Sequence, residues 1–206
     1  MTMLRLLLPT ALLCLPLIAC GGPTPTTSNS PGKAVADATS GVGRTVKEAM
    51  EKAHTEIING NISVTATGQP GAAITPDGRL LINGKEVTTT EAQHRLLKDY
   101  RGHVESVALS GLEIGKAGAT LGVNAAGDAL KSIINGDTDG LEARVNAQAG
   151  DIERQAKRLC SRMPAMLASQ QALAAALPAF KPYATMDQSD VDDCGKNNGK
   201  GYTVNL

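Results

Sequence analysis

The chain has 206 residues, and its 20 basic side chains balance its 20 acidic ones, so the formal net charge is zero. A balanced charge without a basic stripe argues against a nucleic-acid partner. Aromatic residues make up 2% of the chain and tryptophan is absent, which leaves little to stack on bases or sugars and requires an aliphatic, alanine-rich core suited to closely packed helices.

The first stretch has the form of an export signal. Arg5 precedes an apolar run over residues 6–17, which is too short to span a bilayer comfortably. Leu17-Ile18-Ala19-Cys20 resembles the lipobox of bacterial lipoproteins. The resemblance implies that Cys20 becomes the mature N-terminus and carries a thioether diacylglycerol and an N-acyl chain. Several chains hold far better than one, since each buried CH₂ contributes about 0.8 kcal/mol. Gly21 stands where an aspartate would signal retention at the inner membrane, so the same resemblance implies the periplasmic face of the outer membrane. The plainer reading is a cleaved, soluble periplasmic protein.

Residues 20–32 are rich in Gly, Pro, Ser and Thr with no large apolar side chain, the composition of a disordered tether. Residues 33–206 are long enough for a single domain with its own core. Residues 33–59 are helical in pattern, interrupted by Gly41 and Gly43. Their apolar spacing is Val42, Val46, Ala49, Ala53 and Ile57, and Thr45 with Glu48 has the spacing of a capping box, so the regular part is expected to begin at Thr45. Gly60 ends it.

A β-meander is expected over 62–87. Ile62-Ser63-Val64-Thr65-Ala66 alternates and is β-branched. Ala73-Ile74-Thr75 leads into the turn Pro76-Asp77-Gly78, Arg79-Leu80-Leu81-Ile82 returns, and Asn83-Gly84 is a type I′ turn pair before Lys85-Glu86-Val87. A sheet this small has to lay one face on helices. The period then changes: Thr88 with Glu91 has capping-box spacing, and Ala92, Leu96, Leu97 and Tyr100 follow at helical intervals.

Ile74-Thr75-Pro76-Asp77-Gly78, Asn83-Gly84-Lys85, Ala92-Gln93 and Lys98-Asp99-Tyr100 together resemble the YggN-type family of proteobacterial envelope proteins, a domain of unknown function. The resemblance is sharp over roughly thirty residues and architectural beyond them. It implies an exported N-terminus, a short β segment and long helices, and it brings no catalytic residues.

The main helix is expected from Thr89 to Asn135, with Gly111 and Gly127 as points where it could break. Gly111, Gly115, Gly118 and Gly122, extended by Ala108, Ala125 and Ala129, form one stripe. Each glycine costs roughly 1 kcal/mol against alanine inside a helix, so the stripe needs a compensating contact. Close packing against the chain's own next helix is the first reading, and an interface for a partner or lipid surface is the second. Residues 135–140 turn the chain. Asp137-Thr138-Asp139-Gly140 lacks the further ligands of an EF-hand, and Asp139 with Glu142 has capping-box spacing. A second long helix follows over 141–177, with Pro164 kinking or dividing it and Pro178 stopping it. The tail from Phe180 reads as irregular. Its Asp187, Asp190, Asp192 and Asp193 are either solvated surface or a weak cation site.

Cys14 leaves with the signal and Cys20 is lipidated, which leaves Cys160 and Cys194 as a disulfide pinning the tail to the second helix. A bridge closing a loop of this length contributes roughly 3–4 kcal/mol in the chain-entropy model. His54, His94 and His103 fit no metal-ligand pattern, and no G-x-S-x-G, free nucleophilic cysteine or phosphate loop is present. The expected fold is mainly α with a small β-meander (α+β), long antiparallel helices packed with a short hairpin sheet. No catalytic, metal or cofactor site is expected. The function implied is that of a non-catalytic envelope lipoprotein, structural or protein-binding, held to a membrane through Cys20. The alternative is a periplasmic inhibitor or immunity lipoprotein that neutralises a toxin or hydrolase.

Overall fold

The structure, a computed structural model, describes residues 31–135 and 139–196; side chains are described for 40–129, Gly140 and 142–196. Among the described residues, five helices and four short strands follow in the order α1 (Pro31–Asn59), β1 (Ile62–Val64), β2 (Ala72–Ile74), β3 (Leu80–Ile82), β4 (Lys85–Glu86), α2 (Glu91–Asn135), α3 (Asp139–Cys160), α4 (Met163–Ala176) and α5 (Gln188–Asp193), with a 3-10 turn at Lys181–Tyr183 before α5. The fold is mainly α with a small antiparallel meander, as the periodicity indicates.

The strands pair in sequence order, β1-β2-β3-β4, all antiparallel. Local chemistry makes both tight turns. At the β2–β3 turn, Gly78 N–H donates to Thr75 C=O at 2.9 Å, and Gly78 has φ 85°. The buried Thr75 hydroxyl accepts from Arg79 N–H at 2.9 Å and donates to the Asp77 carboxylate at 2.5 Å. Asn83 and Gly84 both have positive φ, 51° and 73°, as a type I′ turn requires.

The long helices all run against α2. Ile57 and Ile58 of α1 lie beside Arg101, and Met50 reaches toward Gly115, so α1 is antiparallel to α2. Leu159 of α3 reaches toward Gly111, and Arg144 pairs with Asp128 at 3.1 Å, so α3 is antiparallel as well. α4 continues in the same direction, with Arg162 bonded to Ser106 at its start and Ala176 C=O accepting from Gln93 Nε2 at 2.7 Å at its end. The second long helix is therefore two. The break falls at Ser161-Arg162, and Pro164 sits in the first turn of α4, where its missing N–H has no helical partner to lose.

Three helix starts differ from expectation. α2 is capped two residues later than the spacing of Thr88 and Glu91 suggested: Thr90 Oγ1 accepts from Gln93 N–H at 3.3 Å, and Gln93 Oε1 accepts from Thr90 N–H at 2.9 Å. Of two overlapping capping boxes, the one used places Gln93 where its amide also reaches α4. α1 passes through Gly41, Gly43 and Thr45 unbroken, and the Thr45 hydroxyl bonds back to Gly41 C=O at 3.2 Å instead of capping. The tail is not irregular throughout: Asp187 accepts from Ser189 N–H at 2.7 Å and Asp190 accepts from Asp187 N–H at 2.9 Å, a reciprocal cap that starts α5. α2 runs through Gly111 and Gly127 without a break.

The core lies at one end. Val64, Ala72, Ile74, Leu80, Leu97, Tyr100, Leu173, Leu177, Phe180 and Tyr183 form one buried cluster. Tyr100 meets Phe180 edge-on at 5.4 Å, and Tyr183, tilted on Phe180, donates to Pro70 C=O at 2.8 Å. Burial pushes the Tyr100 hydroxyl up to about 12. Among the described residues, α1, α3 and the part of α2 beyond Arg101 have none that is fully buried.

Arg101 ties this end together. It is 3% exposed, and its guanidinium donates to Ile74 C=O at 2.8 Å and to Ile58 and Gly60 C=O at 3.0 and 2.9 Å, with Ile57 C=O at 3.3 Å. Its Nε pairs with Glu105 at 2.7 Å. α1 has no basic residue in its own last turn, so α2 supplies the cation that its terminal carbonyls favour. Arg101→Met should cost about 3 kcal/mol in urea unfolding, because the buried Ile74 carbonyl, the last carbonyls of α1 and Glu105 lose their partner together. Arg101→Lys keeps the charge but not the fork and should fall between variant and parent.

Candidate functional site

The glycine stripe of α2 is the feature the sequence marks most strongly, and it is open in the structure. Gly111, Gly115, Gly118 and Gly122 are all exposed. A Cβ placed on Gly118 or Gly122 meets no atom within 4 Å. One on Gly111 only touches Leu159 Cδ1 at 4.0 Å, and one on Gly115 touches Met50 Cε at 3.9 Å. The close helix-on-helix contact expected there is absent. Long side chains, Met50 from α1 and Leu159 from α3, reach the stripe only with their tips, at Gly115 and Gly111.

Two shallow grooves flank α2. One, of about 280 Å³, lies between α2 and α3 and is lined by Glu113, Lys116, Thr120, Gln148, Asp151 and Gln155 among others. The other, of about 390 Å³, runs from Gly102 to Glu113 and is closed on one side by Arg162. Both mix charges of either sign.

The hairpin tip carries the densest polar chemistry. Arg79 pairs with Asp77 at 2.7 Å and with Glu86 at 2.9 Å. The Thr75 hydroxyl first, and then the Arg79 guanidinium, hold the Asp77 carboxyl below the usual carboxylate range. His94 Nε2 donates to Asp77 C=O at 2.7 Å and docks the tip on α2. Gly78 is buried under α2, and a Cβ there would run into Lys98 Cγ. This cluster is a brace between sheet and helix. His54 is exposed and His103 half-buried. Among the described residues, no three His, Cys, Asp or Glu side chains converge as metal donors.

The acidic tail residues are used locally. Asp187 and Asp190 cap α5, Asp192 accepts from Gln188 at 2.9 Å, and Asp193 pairs with Lys196 at 3.7 Å. The Ser189 hydroxyl, then its N–H, lower the Asp187 carboxyl. Cys160 and Cys194 form a disulfide with Cα atoms 5.5 Å apart. Cys20 and the turn residues Asp137 and Thr138 lie outside the described residues, as does the Asp139 side chain.

The sequence reading missed Arg101 and Gln170. Gln170, 3% exposed, donates to Met186 C=O at 2.9 Å and accepts from Met186 N–H at 3.4 Å. The signal for Arg101 was present: it falls on the Leu97, Tyr100, Val104 face, where a charged residue has to find partners. The chain matches no protein-family model, no curated protein and no solved structure.

Gly118→Ala should raise stability by about 1 kcal/mol, since it gains helix propensity without a clash. Gly78→Ala should lower it by about 1–3 kcal/mol through strain and overlap with Lys98. Chemical melts of both variants check this. The depressed Asp77 carboxyl contributes stability that is present above its unfolded value and lost as pH falls through its folded one. Asp77→Asn should therefore melt below the parent at pH 7, with the gap closing at pH values below about 4.

Proposed function

We propose that the protein is a non-catalytic bacterial envelope lipoprotein with a structural or protein-binding role in the periplasm, anchored through acylated Cys20 to the outer membrane. The observation that carries this reading is Leu17-Ile18-Ala19-Cys20 behind an apolar run with a basic start. Two others support it. The Cys160–Cys194 disulfide is a bond characteristic of oxidising compartments, and the stretch from Ile74 to Tyr100 resembles the YggN-type envelope family. The open glycine face of α2 is the surface this reading offers to a partner.

Intact-mass analysis of membrane-extracted protein tests the anchor. The parent should begin at Cys20 and carry the mass of the acyl chains, whereas Cys20→Ser should lack acylation and accumulate unprocessed. A Cys20→Ser protein that is acylated and processed normally would overturn the reading.

A further inference from the structure

The disulfide joins Cys160, the last residue of α3, to Cys194, the residue that ends α5, across 34 positions of sequence. Both cysteines are partly exposed. The element the bridge holds is weakly built. α5 has six residues and buries none of them. Its polar side chains serve the segment itself: Asp187 and Asp190 cap it, Gln188 bonds Asp192, and Asp193 pairs with Lys196. A helix this short does not persist unaided in water.

The chain just before α5 is held independently. The buried Gln170 amide binds both backbone groups of Met186, and Tyr183 is buried in the main core with its hydroxyl on Pro70. α5 packs on α4, and Leu167 of α4 is 5% exposed although it lies outside the main core cluster. The bridge thus fastens a marginal element that lies beyond the anchors at Tyr183 and Met186.

We propose that Cys160–Cys194 is a redox latch for α5. A dithiol reductant supplies two electrons and two protons, the S–S bond breaks to two thiols, and the reductant leaves as its own disulfide. Residues 187–196 then detach from α4 and lose helix, while the sheet, α2 and α4 stay in place. The latch thereby controls access to the part of α4 that α5 covers.

Hydrogen exchange read by mass spectrometry on the full chain tests this, with dithiothreitol as the reductant and alkylation of the freed thiols. Reduction should speed exchange in 187–196 roughly tenfold or more and leave 91–110 and 170–183 unchanged, and reoxidation without alkylation should restore the oxidised pattern. Cys194→Ser should reproduce the reduced pattern without reductant. Unchanged exchange in 187–196 on reduction would show that packing alone holds α5 and overturn the latch. Faster exchange spreading through α4 and the sheet would overturn it too, since the bridge would then hold the whole fold. If Cys194→Ser fails to fold, reduction of the preassembled parent still decides between these outcomes.

Discussion

One guanidinium fixes how the sheet, α1 and α2 meet. Arg101 donates to Ile74 of β2 and to the last carbonyls of α1, while Glu105 one turn on neutralises it. Ile74 C=O is a buried acceptor, and the last carbonyls of α1 are acceptors that a helix end leaves unmatched. A buried cation without these partners would be expensive, and so would the carbonyls without the cation. Each requirement satisfies the other only when α1 ends where it does. Gly60 makes that ending possible: the chain turns so tightly that a Cβ would sit 2.5 Å from Glu56 C=O.

The lopsided core follows from composition. Three of the four aromatic residues, Tyr100, Phe180 and Tyr183, gather beside the meander, and the fully buried large side chains are there as well. Along the rest of α2, alanine and glycine bury little area each, so α1 and α3 lie against it through half-buried Val46, Met50, Leu112, Ile114 and Leu159. The sheet end is therefore expected to be the last part to open, and the three-helix arm the first.

Much of this was legible beforehand because it is local. The turns at Pro76-Asp77-Gly78 and Asn83-Gly84, the long helix to Asn135 and the role of Pro164 follow from backbone preferences within a few residues. The pairing of Cys160 with Cys194 followed from counting thiols. What was misjudged depends on distant partners. Thr88 with Glu91 and Thr90 with Gln93 have the same cap spacing, and the choice turns on Gln93 reaching Ala176, 83 positions away. The glycine stripe looked like a contact because small residues permit one, yet permission does not supply a neighbour. Leu159 and Met50 touch the stripe only at Gly111 and Gly115, and a Cβ on Gly118 would meet no neighbour. Arg101 was legible as an anomaly on an apolar face, but its four carbonyl partners lie 27 to 44 residues away.

The way α1 is fastened also sets how the molecule answers a pull. Any load entering through the segment before α1 reaches the body along that helix. α1 runs antiparallel to α2, so its first turns lie far from the sheet and its last turn lies at Arg101. The contacts along its length are only half-buried, as at Val46 and Met50. The guanidinium clamp on the final carbonyls of α1 bears the force last. α1 can therefore act as a strap that takes up load along its length before the load passes at Arg101 and Gly60 into the meander.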